Sequence, residues 1–199
     1  MSTLRQPSSQ AFDRSSGRLS AEAFLDMTRD RPDTERWQLI DGEPLLMMNP
    51  PSGRHQRIAA NLERLLNDAL AEHHPGWDAI RELGLMIEGR PDFRPVADLV
   101  VLPFDLGDQQ YFSEFHLVAE VLSPSNTHEM ISRKRQLYAE SPFCQHILIL
   151  RQNEMCCEVW SRSADWQGRV YRSAADRIEL PEFGFSCALS EVYRGTGVS

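Results

Sequence analysis

Val96-Ala97-Asp98-Leu99-Val100-Val101-Leu102 and Leu117-Val118-Ala119-Glu120-Val121-Leu122 are the two runs on which the reading of this sequence turns. Runs of six or seven apolar, largely β-branched residues are expected to form strands buried on both faces. Each carries one carboxylate in its middle, where an unpaired charge would be costly. One such residue has a simple account: a carboxylate near a strand end that pairs with an arginine. Two in neighbouring runs, followed by a helix with an inward lysine, point instead to a functional cluster around a cation, and a divalent metal is the usual occupant.

The helix is expected from Asn126 to about Glu140, with Asn126 and Glu129 as a capping pair and Pro142 beyond its end. Met130, Ile131, Leu137 and Tyr138 form its apolar face, and Lys134 falls in the middle of that stripe. Lys134 is the only lysine beside 20 arginines. A lysine offers a compact charge with a shiftable pKa, whereas arginine stays protonated. The structural alternative is a snorkelling lysine with its stem in the core and its ammonium in water.

Around this centre, residues 1–18 are polar and Ser-rich and are expected to form a disordered tail. Residues 19–195 are expected to form a single domain. Ser20 precedes a short helix, Ala21 to Arg29. Asp41-Gly42, between Trp37–Ile40 and Leu45–Met48, predicts a hairpin, with Glu43 just past its turn. Gly53 to His73 carries Ile58, Leu62, Leu65, Leu66, Ala69 and Leu70 at helical spacing. His55 and Gln56 lie in its first turn, where a helix N-terminus favours anions, and are expected to contact phosphate. Strands are further expected over 77–87, 146–150, 155–160, 169–172 and 177–180, and a helical turn over 188–193.

Composition narrows the function classes. The 199 residues carry a net charge of -8, which argues against a general nucleic-acid coat but not against an enzyme that concentrates charge at one site. No apolar run approaches the roughly 20 residues of a membrane helix, and no signal peptide is read, so the expected location is the cytoplasm without membrane association. The four cysteines match no zinc spacing and are read as reduced packing residues. No Walker loop, dinucleotide fingerprint or Gly-x-Ser-x-Gly elbow occurs.

Taken in order, Trp37-Gln-Leu-Ile-Asp-Gly-Glu43, Asn49-Pro-Pro-Ser52 with Arg54-His-Gln56, Ala97-Asp-Leu-Val-Val101, and Glu120-Val-Leu-Ser-Pro-Ser125 followed by Lys134 and Tyr138 resemble the bacterial "putative restriction endonuclease" family of the PD-(D/E)xK nuclease superfamily. The resemblance spans about Ser20 to Tyr193. It implies an α/β (α+β) fold, a mixed curved sheet flanked by helices. It implies a Mg²⁺- or Mn²⁺-dependent nuclease acting on nucleic acid, with DNA the expected substrate, and it admits a homodimer. Asp98 and Glu120 match the metal-binding carboxylates, the Val121 carbonyl is a further metal ligand, and Lys134 assists the attacking water. Glu43 matches an additional acidic residue of such sites. Two departures stand out. The superfamily's usual lysine position, two residues after the second carboxylate, is Leu122, so Lys134 must reach the site from the helix. Ala97, rather than proline, precedes Asp98. The alternative is a non-catalytic binding or regulatory protein on a degenerate nuclease scaffold, and the placement of Arg54, Arg57, Arg133 and Arg135 discriminates between the two.

Overall fold

The computed structural model describes residues 12–13, 17–32, 34–47, 50–123 and 126–198. In chain order the elements are β1 (Phe12–Asp13), β2 (Arg18–Leu19), α1 (Ala21–Arg29), β3 (Arg36–Ile40), β4 (Glu43–Met47), α2 (Gly53–His73), β5 (Trp77–Leu85), β6 (Val96–Pro103), β7 (Tyr111–Phe112), β8 (Leu117–Leu122), α3 (His128–Glu140), β9 (His146–Arg151), β10 (Cys157–Ser161), β11 (Gly168–Tyr171), β12 (Arg177–Leu180), β13 (Phe185–Ala188) and α4 (Leu189–Val192). A mixed seven-stranded sheet runs in the order β11-β10-β9-β8-β6-β5-β7. β8 and β9 are parallel, joined through α3, and β8 pairs antiparallel with β6. A parallel pair needs such a crossover, and a helix is its usual form.

Two apolar layers cover the sheet. On one face Ile58, Leu62 and Leu66 of α2 pack with Leu99, Val101, Leu117 and Ala119, closed off by the β12–β13 hairpin and α4. On the other, Ile131, Leu137 and Tyr138 of α3 pack with Val100, Val118 and Ile147. Both faces of the central strands are therefore buried, as the apolar runs require. Strand alternation puts Glu120 in phase with Val118, on the α3 face.

α2 begins where Ser52 Oγ accepts a hydrogen bond from His55 N at 3.1 Å, and the Ser52 hydroxyl donates to Gln152 Oε1 at 2.6 Å. Helical spacing places His55 above Ile58, Ala59 and Leu62, so it is buried. The β3–β4 hairpin turns through Asp41 and Gly42, both at positive φ, as an Asp-Gly turn does. It joins the rest through Leu39 and Arg94, which exchange backbone hydrogen bonds of 2.9 and 2.8 Å.

Several expectations need correction. Of the expected disordered tail, residues 1–11 and 14–16 lie outside the described residues. The described part is held: β1 pairs with β2, and Leu19 N donates to Gly42 O at 2.7 Å. The N-cap of α3 is Thr127, whose hydroxyl accepts from Met130 N, while Asn126 accepts from Ser123 N. Asn126 thus closes a turn before the helix instead of capping it. β7 and β13 escaped the periodicity reading, the first because two residues carry no pattern. The second follows Gly184, whose φ of 61° supplies the turn from the Pro181–Phe183 3₁₀ segment.

At the sheet end away from the carboxylates, His116 stacks on Trp77 with ring centroids 3.8 Å apart. Burial holds the His116 pKa below its ordinary value. A histidine kept neutral by the fold contributes stability that is fully present above its unfolded pKa, near 6.5, and lost as pH falls below it. His116→Phe is expected to flatten part of the stability loss between about pH 7 and pH 5, measured by urea unfolding across that range. An unchanged slope would exclude His116 as a contributor.

Candidate metal and phosphodiester site

The β6–β8 ladder pairs Val101 with Leu117, Val100 with Val118 and Leu99 with Ala119. The next positions outward in that register are Asp98 and Glu120, and there the ladder ends. Asp98 takes over as acceptor: its Oδ2 receives a hydrogen bond from Val121 N at 2.7 Å. On the other side of β6 the ladder with β5 skips the same level, where Glu82 has a φ of 57°. A non-glycine residue at such an angle is strained, and strain of this kind gathers at functional sites. The two carboxylates therefore sit where the ladders of the central strands are interrupted.

Glu120 is buried at 5% exposure and Lys134 at 4%. Lys134 Nζ lies 2.6 Å from Glu120 Oε1 and donates to Val96 O at 3.4 Å. The ammonium is thus paired inside the molecule and does not snorkel. The Tyr138 hydroxyl, fully buried, donates to the same Glu120 Oε1 at 2.6 Å. Both donors converge on one oxygen, and among the described residues no hydrogen bond falls on Oε2. Burial, with the Asp98 charge adding to it, raises the Glu120 pKa, while Lys134 and Tyr138 work in the opposite direction. Burial and the neighbouring Glu120 together push the Tyr138 phenol well above its ordinary range, so it remains a donor.

His55 Nε2 lies 3.3 Å from Asp98 Oδ1. Burial pulls the imidazole down, but the hydrogen bond and charge of Asp98, helped by Glu120 and Glu82, outweigh it, and the His55 pKa is raised. His55 Nε2 therefore faces a carboxylate of the protein itself. Gln56 is committed as well: its amide donates to Glu82 Oε1 at 3.1 Å and accepts from Arg81 at 2.9 Å.

The structure thus brings together Asp98, Glu120, Lys134 and His55 of the expected set and adds Tyr138. Glu43 stands apart: it is exposed at the start of β4, lining a groove with the N-terminal turn of α3, and makes no contact with either carboxylate among the described residues. Three of the four arginines named above are engaged elsewhere. Arg133 pairs with Asp41, Arg54 donates to Thr196 O, and Arg135 lies over the Trp160 ring at 3.7 Å.

Among the described residues no group of three or more His, Cys, Asp or Glu side chains converges as a ready cage for a metal. The protein offers two hard carboxylates, one with an uncommitted oxygen, beside a lysine. That donor set fits a Mg²⁺-type ion, which is commonly held by one or two carboxylates plus water and phosphate oxygens. It does not fit zinc, for which His and Cys donors dominate.

Tyr138→Phe removes one of the two donors on Glu120 while keeping the ring packed edge-on to Phe93 and Phe115. The expected cost is about 1–3 kcal/mol, the range for a hydrogen bond to a buried charged group, read as a shifted urea midpoint. A loss below about 0.5 kcal/mol would mean that Lys134 alone holds Glu120.

The model of the Uma2 family, described as "putative restriction endonuclease", matches residues 21–190. An uncharacterized protein of Synechocystis is 28% identical over 184 residues, covering 89% of this chain and 93% of that protein. The crystal structure of a "putative nuclease" belonging to DUF820 from Anabaena variabilis shares the fold with a TM-score of 0.70 at 16% identity, over 88% of this chain and 97% of that one. No helix among the described residues is long and apolar enough to cross a membrane.

Proposed function

This chain belongs to the Uma2 family, and from that premise we propose that it is a divalent-metal-dependent endonuclease that hydrolyses phosphodiester bonds in DNA. The observation that carries the reading is the opposition of Asp98 and Glu120 at the point where β6 and β8 part, with Lys134 seated on Glu120. Asp98 and Glu120 would hold Mg²⁺ or Mn²⁺, with the Val121 carbonyl a further oxygen ligand. When bound, the metal supplies Lewis-acid polarisation of the phosphoryl group and acidifies the attacking water.

The chain's own residues do the rest. Val121 N fixes the Asp98 carboxylate through Oδ2. Tyr138 holds Glu120 by Oε1, which leaves Oε2 uncommitted among the described residues. Lys134, paired with Glu120, would orient the water or neutralise charge developing on the phosphate.

A second reading, a binding or regulatory protein without catalysis, is favoured by one observation: Arg54, Arg133 and Arg135 are bound to partners away from the carboxylates. A plasmid-cleavage assay with Mn²⁺ and Mg²⁺, alongside calorimetric titration of each metal, separates the two. Metal-dependent cleavage that EDTA abolishes is the expected result. A folded protein that binds neither metal and leaves DNA intact would establish the second reading.

A further inference from the structure

Between the C-terminal turn of α1 and the edge of the main sheet lies a cleft of about 390 Å³, a size within the range of small-ligand sites. Two aromatic rings, Trp37 and Tyr111, line it, and so do Arg31 and Arg36. Its remaining wall is shared with the site described above. Glu82 lines it at the level where the ladder skips Asp98, and Val96, whose carbonyl receives Lys134, lines it two residues before Asp98. The cleft therefore adjoins the level of Asp98 in the sheet.

The rings are set for flat ligands. Gly84 pairs with Tyr111 across β5 and β7, and a Cβ at Gly84 would meet the Tyr111 ring at 2.8 Å. Glycine at this position lets the ring lie against the strand backbone. The Arg94 guanidinium sits 5.9 Å from the centre of the Tyr111 ring, and that of Arg31 sits 5.5 Å from the centre of Trp37.

The cleft's acidic residues, Glu35 and Glu82, engage Arg31 and Arg36 through partly exposed ion pairs. Such pairs contribute little, and a phosphate can compete for both guanidiniums.

We propose that this cleft receives an unstacked nucleotide of a single-stranded segment, the base against Tyr111 and Trp37 and the phosphates on Arg31 and Arg36. The site then acts on single strands or frayed ends in preference to intact duplex. Stacking tolerates any base, because every base has a π-face, so the cleft selects for strandedness and not for sequence. The inference takes the Asp98–Glu120 centre as read above and names its substrate class.

The test is fluorescence anisotropy on the full chain in EDTA, with a labelled single-stranded oligodeoxynucleotide and a blunt duplex of the same sequence. The single strand is expected to bind about tenfold tighter than the duplex, and Tyr111→Leu to lose that factor while leaving duplex binding unchanged. Equal affinity for the two probes overturns the proposal. Wild-type single-strand affinity in a Tyr111→Leu protein of unchanged melting temperature also overturns it. If Tyr111→Leu melts early, Arg31→Glu, at a side chain 48% exposed, decides: it must weaken single-strand binding and reduce its salt dependence. Mn²⁺ calorimetry on the same samples keeps the two readings apart. Metal binding without strand preference sinks the cleft alone. Strand preference without metal binding or cleavage supports the cleft and sinks the nuclease.

Discussion

Asp98→Asn is expected to lower metal-dependent cleavage by roughly 10²–10³-fold or more, the range seen when one electrostatic contributor to a transition state is removed, and to abolish Mn²⁺ binding in calorimetry. The fold should survive. Asparagine keeps the shape of aspartate, and its carbonyl can still accept the hydrogen bond from Val121 N that closes the end of the β6–β8 ladder. The substitution also removes a negative charge that raises the Glu120 pKa and so disfavours Glu120 in its ionised form. Thermal stability in EDTA should therefore be unchanged or slightly higher. Activity falls while stability does not, which a merely destabilising change cannot mimic. A variant that cleaves at the wild-type rate would remove Asp98 from the site, and one that melts well below wild type would mean that Asp98 serves the strand junction first.

Asp98 and Glu120 were legible because a charge inside an apolar strand is visible against its neighbours, and Lys134 because helical phase placed it among Ile131, Leu137 and Tyr138. Their meeting was not legible. It depends on the antiparallel register of β6 against β8 and on α3 folding back over β8, and both are tertiary facts. Tyr138 read as core, and by burial it is core. Its hydroxyl gained a role only when Glu120 was placed beneath it. His55 carried a usable signal: it lies three and four residues before Ile58 and Ala59, so the same period that defined the buried stripe of α2 also turns the imidazole inward. The position at a helix start drew attention to anions, and the nearer partner was a carboxylate of the protein itself. Glu43 matched by its place after the Asp-Gly turn, but the first residue of a hairpin strand can face either way, and here the side chain is exposed. The doubly buried runs required cover on both faces of the central strands, the mixed sheet flanked by helices came with the family resemblance, and β1, β2 and β7, two residues each, were too short to carry any period.

Lys134→Ala is expected to cost about 3–5 kcal/mol at neutral pH, because it leaves Glu120 ionised and buried without its counter-charge. Only Tyr138 would remain on that carboxylate. The loss should depend on pH, and the sign follows from the direction of the shift. The Glu120 pKa is already raised in the folded protein by burial, and the attraction of Lys134 is the largest influence holding it down. Removing the lysine raises it further. A carboxyl whose folded pKa lies above its unfolded value contributes stability that is fully present below the unfolded pKa and is lost as pH rises through the folded one. The deficit of the variant should therefore shrink on acidification, as Glu120 takes up a proton and becomes a neutral hydrogen-bonding group. Divalent metal offers a second route to the same relief. If Mg²⁺ or Mn²⁺ binds between Asp98 and Glu120, it replaces the missing positive charge, and at a hundredfold excess over its dissociation constant it returns about 2.7 kcal/mol. Urea unfolding with and without Mn²⁺, at neutral and mildly acidic pH, checks both arms. A loss under about 1 kcal/mol that ignores pH and metal would be the signature of a solvated lysine, and it would take the ammonium out of the site.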